Sequence, residues 1–133
     1  MTLSTSHKLD RVRIGDCIHH GIFACDPDAP ISEVAAIMAT HRVHALIIND
    51  VNGRPAEIVS DTDVVAAAAT SDAFSARDVA GTEALSAPSD ASLRDAARLM
   101  TEHGVSHLIA VDPASGQPAG VLSTTDILSA YGL

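Results

Sequence analysis

Apolar and polar positions along this chain follow two alternating periods. Residues 22–25 form a short apolar run closed by the turn-forming stretch Asp26, Pro27, Asp28, Ala29, Pro30, and they predict a strand. From 31 to 40 the apolar residues fall at 31, 34, 35 and 38, the spacing of a helix face. A β-branched and apolar run over 43–49 then meets Asp50, Val51, Asn52, Gly53, and a second short run follows at 56–60, so the pair predicts a hairpin across that turn. The Ala- and Val-rich stretch 61–70 predicts a closing helix. The same order of strand, helix, strand, strand, helix is then predicted again, at 84–87, 92–103, 106–111, 119–122 and 124–131.

The recurrence extends to individual residues. At a shift of 62, Ala35, Met38, His41, Val43, Leu46, Ile47 and Asp50 recur as Ala97, Met100, His103, Val105, Leu108, Ile109 and Asp112. After one inserted residue the shift becomes 63, and Gly53, Pro55, Ala56, Ser60, Thr62 and Asp63 recur as Gly116, Pro118, Ala119, Ser123, Thr125 and Asp126. The insertion falls in the predicted turn, where a change of length is tolerated. A period this long exceeds that of solenoid arrays, so each copy reads as a small domain. The division is a tail at 1–9, a first domain at 10–71 and a second at 74–133. A lone unit of about 60 residues is marginally stable, so the copies are expected to pack on one another.

Composition narrows the picture. Hydrophobic residues make up 47% of the 133 positions, enough for a sizeable core, while aromatics are 2% and Trp is absent, so that core is built from Ala, Val, Ile and Leu. Eight Lys and Arg against seventeen Asp and Glu give a net charge of -9, which argues against nucleic acid and anionic membranes as partners. No leader-like or membrane-length apolar run is present, and a cytoplasmic location is the expectation. Cys17 and Cys25 are too few for a disulfide framework and are read as reduced thiols.

The order of elements resembles the CBS domain family, together with the segment 33–48 and its partner 94–112. Both copies also end in that family's landmark, a glycine, two apolar residues, Ser or Thr, two residues, then Asp. Gly120 to Asp126 matches it in full, and 57–63 matches except that Glu57 replaces the glycine. The resemblance implies an α/β (α+β) fold in which two CBS repeats pack through their sheets. It also implies clefts that take an adenosine-containing ligand such as AMP, ADP, ATP or S-adenosylmethionine, and pairs that associate as homodimers. Many relatives carry Pro where this chain has Ile47 and Ile109.

The landmark falls where a strand hands over to a helix, and free backbone N–H groups at a helix start favour an anion. A Ser hydroxyl there suits a phosphate, and an ionised Asp suits the two hydroxyls of a ribose. The resemblance assigns those roles to Ser60 and Ser123 and to Asp63 and Asp126. The same residues also fit a capping box, which only starts a helix. Gly120 would allow close approach of a phosphate and Glu57 would oppose it, so the second site is favoured. His44 at the start of the central strand is a further ligand-contact candidate, with Ser106 and His107 at the matching place in the second copy. His41 and His103 lie at helix ends, where they suit the carbonyls and the dipole.

Cys17, His19, His20 and Cys25 carry zinc-type donors but lack the usual close pair, so no metal site is assigned. No phosphate-binding Gly-rich loop or nucleophile elbow is present. The expectation is a regulatory, non-catalytic module that needs no resident cofactor and signals ligand occupancy to an effector protein by conformational change. A ligand-free structural module is the alternative, and a metal- or redox-responsive sensor a further one.

Overall fold

The computed structural model describes residues 7–18, 24–50, 52, 55–71, 73–80, 82–83 and 85–133. Its packing divides them into two units, one within 24–83 and the other combining 7–18 with 85–133. The first unit runs β1 (Ala24–Cys25), α1 (Ile31–His41), β2 (Ala45–Asn49), β3 (Pro55–Ser60), α2 (Asp61–Ala68), α3 (Ala76–Val79) and β4 (Thr82–Glu83). Its sheet has the order β1-β2-β3-β4, with β1 parallel to β2 and the remaining pairs antiparallel. The second unit runs β5 (Ser86–Pro88), α4 (Leu93–His103), β6 (His107–Val111), β7 (Pro118–Ser123) and α5 (Thr124–Gly132), with the sheet order β5-β6-β7. The α+β class, the twofold element order and both hairpins are as the sequence predicts. Ile22, Phe23 and Ala84, assigned to the first strand of each copy, lie outside the described residues.

Matching residues do matching work. Val34 and Met38 of α1 meet Leu46, Ile48 and Val59 of the first sheet, and Leu93, Ala96 and Met100 of α4 meet Leu108, Ala110 and Leu122 of the second. Each fully buried Leu, Ile or Val contributes about 1.5–3 kcal/mol relative to exposure. On the opposite sheet faces Ile47, Ile58 and Ile109 are also buried. Burial on both faces is why the central strands read as continuous apolar runs rather than alternating ones. Each hairpin register shifts at one place, between Ile48 and Asn49 and between Ala110 and Val111. Each turn is led by an aspartate that accepts an N–H two residues on: Asp50 from Asn52 and Asp112 from Ala114, both at 2.8 Å.

The chain also exchanges segments between the two copies. Residues 12–15, at the start of the first copy in sequence, bond the second: Leu93 N–H donates to the Val12 carbonyl (2.9 Å), Ile14 N–H to Ala91 (2.9 Å) and Gly15 N–H to Ser89 (2.8 Å). Residues 74–77, at the start of the second copy, make the same three bonds to the first: Ile31 N–H to Phe74 (3.1 Å), Ala76 N–H to Ala29 (2.8 Å) and Arg77 N–H to Pro27 (3.0 Å). Arg13–Ser92 and Ser75–Pro30 are the matching antiparallel bridges. Leu9 and Ile14 are buried in the core of the second unit. The Gly15 backbone lies so close that an added Cβ would come within 3.2 Å of the Ser89 carbonyl. The short elements of these segments, α3, β4 and the two 3-10 turns at Lys8–Arg11 and Ile14–Asp16, were not expected from the sequence. Runs of two to four residues carry no period to read.

Candidate functional site

In each unit a hairpin strand ends on a serine and turns directly into a helix. At the β7–α5 junction Ser123 is the N-cap, and its hydroxyl accepts the Asp126 N–H at 3.2 Å while the Ser123 N–H donates to Asp126 Oδ2 at 2.9 Å. The Ser123 hydroxyl donates to the same carboxylate oxygen at 3.0 Å. The Thr124 N–H is held by the Ser106 carbonyl at 3.0 Å. Ser106 Oγ and His107 Nδ1 are hydrogen-bonded at 3.0 Å, and His107 lies opposite Ser123 in the hairpin register. Four of the candidate residues, Ser106, His107, Ser123 and Asp126, are therefore gathered at one junction.

The β3–α2 junction repeats the frame with different filling. Ser60 N–H donates to Asp63 Oδ2 at 2.9 Å, and Asp63 N–H returns to Ser60 Oγ at 3.2 Å. The Ser60 hydroxyl is also paired with Thr62 Oγ1 at 2.9 Å, where Ser123 instead bonds the carboxylate of its aspartate. The Asp61 N–H donates to the His44 carbonyl at 2.8 Å, the counterpart of the Thr124 to Ser106 bond. His44 Nδ1 lies 3.1 Å from Asp61 Oδ2, and because an ionised carboxylate only accepts, the imidazole N–H is the donor. The other Asp61 oxygen takes the Thr62 N–H at 2.7 Å. His44, Ser60 and Asp63 are thus brought together, and Asp61 joins them. Sequence reasoning missed Asp61, although its place directly after the landmark serine was a signal.

Gly120 sits apart from this arrangement. It pairs with Ala110 in the β6–β7 register, three residues up the strand from Ser123. Alternation along the strand puts Gly120 on the face of Leu122, which packs against the helices, and Ser123 on the other. Glu57 likewise shares the helix-packed face of β3 with Val59 and is opposite Ile48. His103 Nδ1 bonds the Leu99 carbonyl at 2.9 Å, the helix-end role expected of it.

The thiols divide between the units. Cys17 packs against the core of the second unit, and its pKa is raised by burial, then by the charges of Asp126 and Asp16, so the exchanged N-terminal segment passes near the Ser123 junction. Cys25 is buried in the first unit, where loss of water contact, then Glu33 and Asp26, push its thiol up to about 11. His19 and His20 lie outside the described residues. Among the described residues no group of three or more His, Cys, Asp or Glu is placed to hold a metal ion, and no helix is long and apolar enough to cross a membrane.

Two sheet-and-helix units related by duplication, each with a Ser-x-x-Asp start to its last helix, define a tandem module of the kind the sequence resembles. The family model described as the CBS domain matches residues 14–70 and again 76–133, and this chain belongs to the CBS domain family. It is similar to the CBS domain pair of protein MJ0100, solved in complex with 5'-methylthioadenosine and S-adenosyl-L-methionine. That likeness has a TM-score of 0.78 at 21% identity and covers 91% of this chain and 96% of that one. It is also similar to a CBS domain protein from Pyrobaculum aerophilum complexed with AMP, with a TM-score of 0.75 at 25% identity, over 86% of this chain and 89% of that one. An uncharacterized protein of Methanopyrus kandleri is 25% identical over 121 residues, 88% of this chain. The match spans 61% of that relative's length.

Proposed function

We propose that this chain is a regulatory module that binds an adenosine-containing ligand, such as AMP, ADP, ATP or S-adenosylmethionine, and performs no catalysis of its own. The observation that carries the reading is the Ser123–Asp126 junction, where the landmark residues of the family meet the amide end of a nine-residue helix. Asp126 suits the ribose hydroxyls, and Ser123 together with the N–H groups of the first turn of α5 suits a phosphate. Relatives of the same fold, solved with AMP or with 5'-methylthioadenosine and S-adenosylmethionine, support that choice of ligand class. A ligand that binds one arrangement of the units more tightly than another shifts their populations, and this is how occupancy passes to an effector protein or between the copies of a homodimer. The net charge of -9 disfavours nucleic acid and anionic membranes as partners.

A ligand-free structural role is the second reading. It is favoured by the reciprocal capping boxes, which already satisfy the hydrogen-bonding groups of Ser60, Asp63, Ser123 and Asp126 that they use. A melting panel with AMP, ADP, ATP, S-adenosylmethionine and NADH separates the two. Ligand at a hundred times its dissociation constant adds about 2.7 kcal/mol to the folded state. We expect at least one ligand to raise the melting temperature, and Asp126→Ala to abolish the rise that AMP gives. Loss of the cap lowers the baseline stability of Asp126→Ala by about 1 kcal/mol under either reading, so the ligand-dependent increment is the quantity compared. A panel in which no ligand moves the melting temperature at millimolar concentration sinks the proposal in favour of the structural role.

A further inference from the structure

The two junctions share one frame but present different charge to a ligand, and the difference begins with the first residue of the helix. In α2 that residue is Asp61, whose carboxylate takes the Thr62 N–H at 2.7 Å and holds the His44 imidazole at 3.1 Å. In α5 it is Thr124, a neutral residue that sets no carboxylate on the Thr125 N–H, the counterpart of the Thr62 N–H. The start of α2 thus carries two carboxylates, Asp61 and Asp63, against one at α5, Asp126. An internal anion already occupies the amide position that a phosphate would use at α2, and its charge offsets the positive end of the helix dipole.

We infer that Asp61 is a specificity-determining residue that makes the first site reject phosphorylated ligands and accept adenosine compounds without phosphate, while the Thr124 site takes the phosphorylated ones. The inference rests on the adenosine reading above and assigns each junction its ligand class. Ser60 and Asp63 keep the frame that suits a ribose in the first site, and Asp61 removes only the anion position. A ligand without phosphate therefore occupies the first site with no competition from AMP, and at that site the module reads its level separately.

Calorimetric titration of the full chain with AMP and with 5'-methylthioadenosine tests this, since the two share adenosine and differ at the phosphate. We expect 5'-methylthioadenosine to fill two sites per chain and AMP to fill one. Asp61→Thr is expected to open a second AMP site, with at least about a tenfold gain in affinity there. Asp61→Asn removes the charge while keeping an acceptor for the Thr62 N–H, and it gives part of that gain. Thr124→Asp is expected to weaken AMP about tenfold and leave 5'-methylthioadenosine unchanged. AMP filling two equal sites in the unmodified chain overturns the inference, as does an AMP stoichiometry unmoved by all three substitutions. Absence of heat with both ligands is a different result, and it overturns the adenosine reading together with this inference.

Discussion

Cys25 shows what burial does to a residue whose sequence context offers only an apolar strand. Its thiol is pushed up to about 11 by loss of water contact, then by Glu33 and Asp26, so at neutral pH it is a small hydrophobe. At pH 8 its thiolate fraction is roughly a hundredfold below that of a thiol at the ordinary value of 9.0, and alkylation by iodoacetamide is expected to be slower by at least that factor. Reaction at the rate of a free thiol contradicts the burial. The linkage has a definite sign: with the folded value above the unfolded one, this contribution to stability is complete below pH 9.0 and is lost as pH rises towards about 11. The apolar role of Cys25 was legible from its neighbours in sequence. Nothing in the sequence placed Cys17 near Asp126, because more than a hundred residues separate them.

The best comparison at the level of the element is between α1 and α4, which were predicted from the same period and end in the same backbone conformation. Gly104 follows α4 at φ 63, and Arg42 follows α1 at φ 53, both left-handed. In each the next N–H closes on a carbonyl of the last turn, Val105 to Met100 at 3.0 Å and Val43 to Met38 at 3.1 Å. A residue with a Cβ costs about 1 kcal/mol more than glycine there. Arg42→Gly is therefore expected to raise the melting temperature by about 3 °C, and Gly104→Ala to lower it by a similar amount. Open space around Gly104 leaves backbone strain as the whole effect, and calorimetric melts of the two variants check both signs. A fall for Arg42→Gly means that contacts of the Arg42 side chain outweigh the strain. The helices and hairpins were legible because they are long enough to show a period; α3 and β4 were not, since they are held by contacts with distant residues.

For the molecule as a whole, the consequence of duplication is that sequence order and packing order differ. Ile14 belongs to the start of the first copy in the chain, yet it is fully buried against Leu93, Leu108 and Leu122 of the second unit. Ile14→Ala is expected to cost about 3 kcal/mol and to lower hydrogen-exchange protection in β6 and β7. Loss of protection confined to β2 and β3 contradicts the exchange. The sequence by itself determined the repeat, the order of its elements, the apolar face of α1, and the two Ser-x-x-Asp helix starts. All of these are local: a period of 3.6 or 2, and hydrogen bonds across three residues, are set by neighbours in the chain. Only the tertiary structure decided that 7–18 folds with 85–133, that Gly120 faces away from Ser123, and that His44 is held by Asp61. Those relations join residues distant in sequence or fix which face a residue takes, and they are set by packing and strand register, which leave no periodic trace in the sequence.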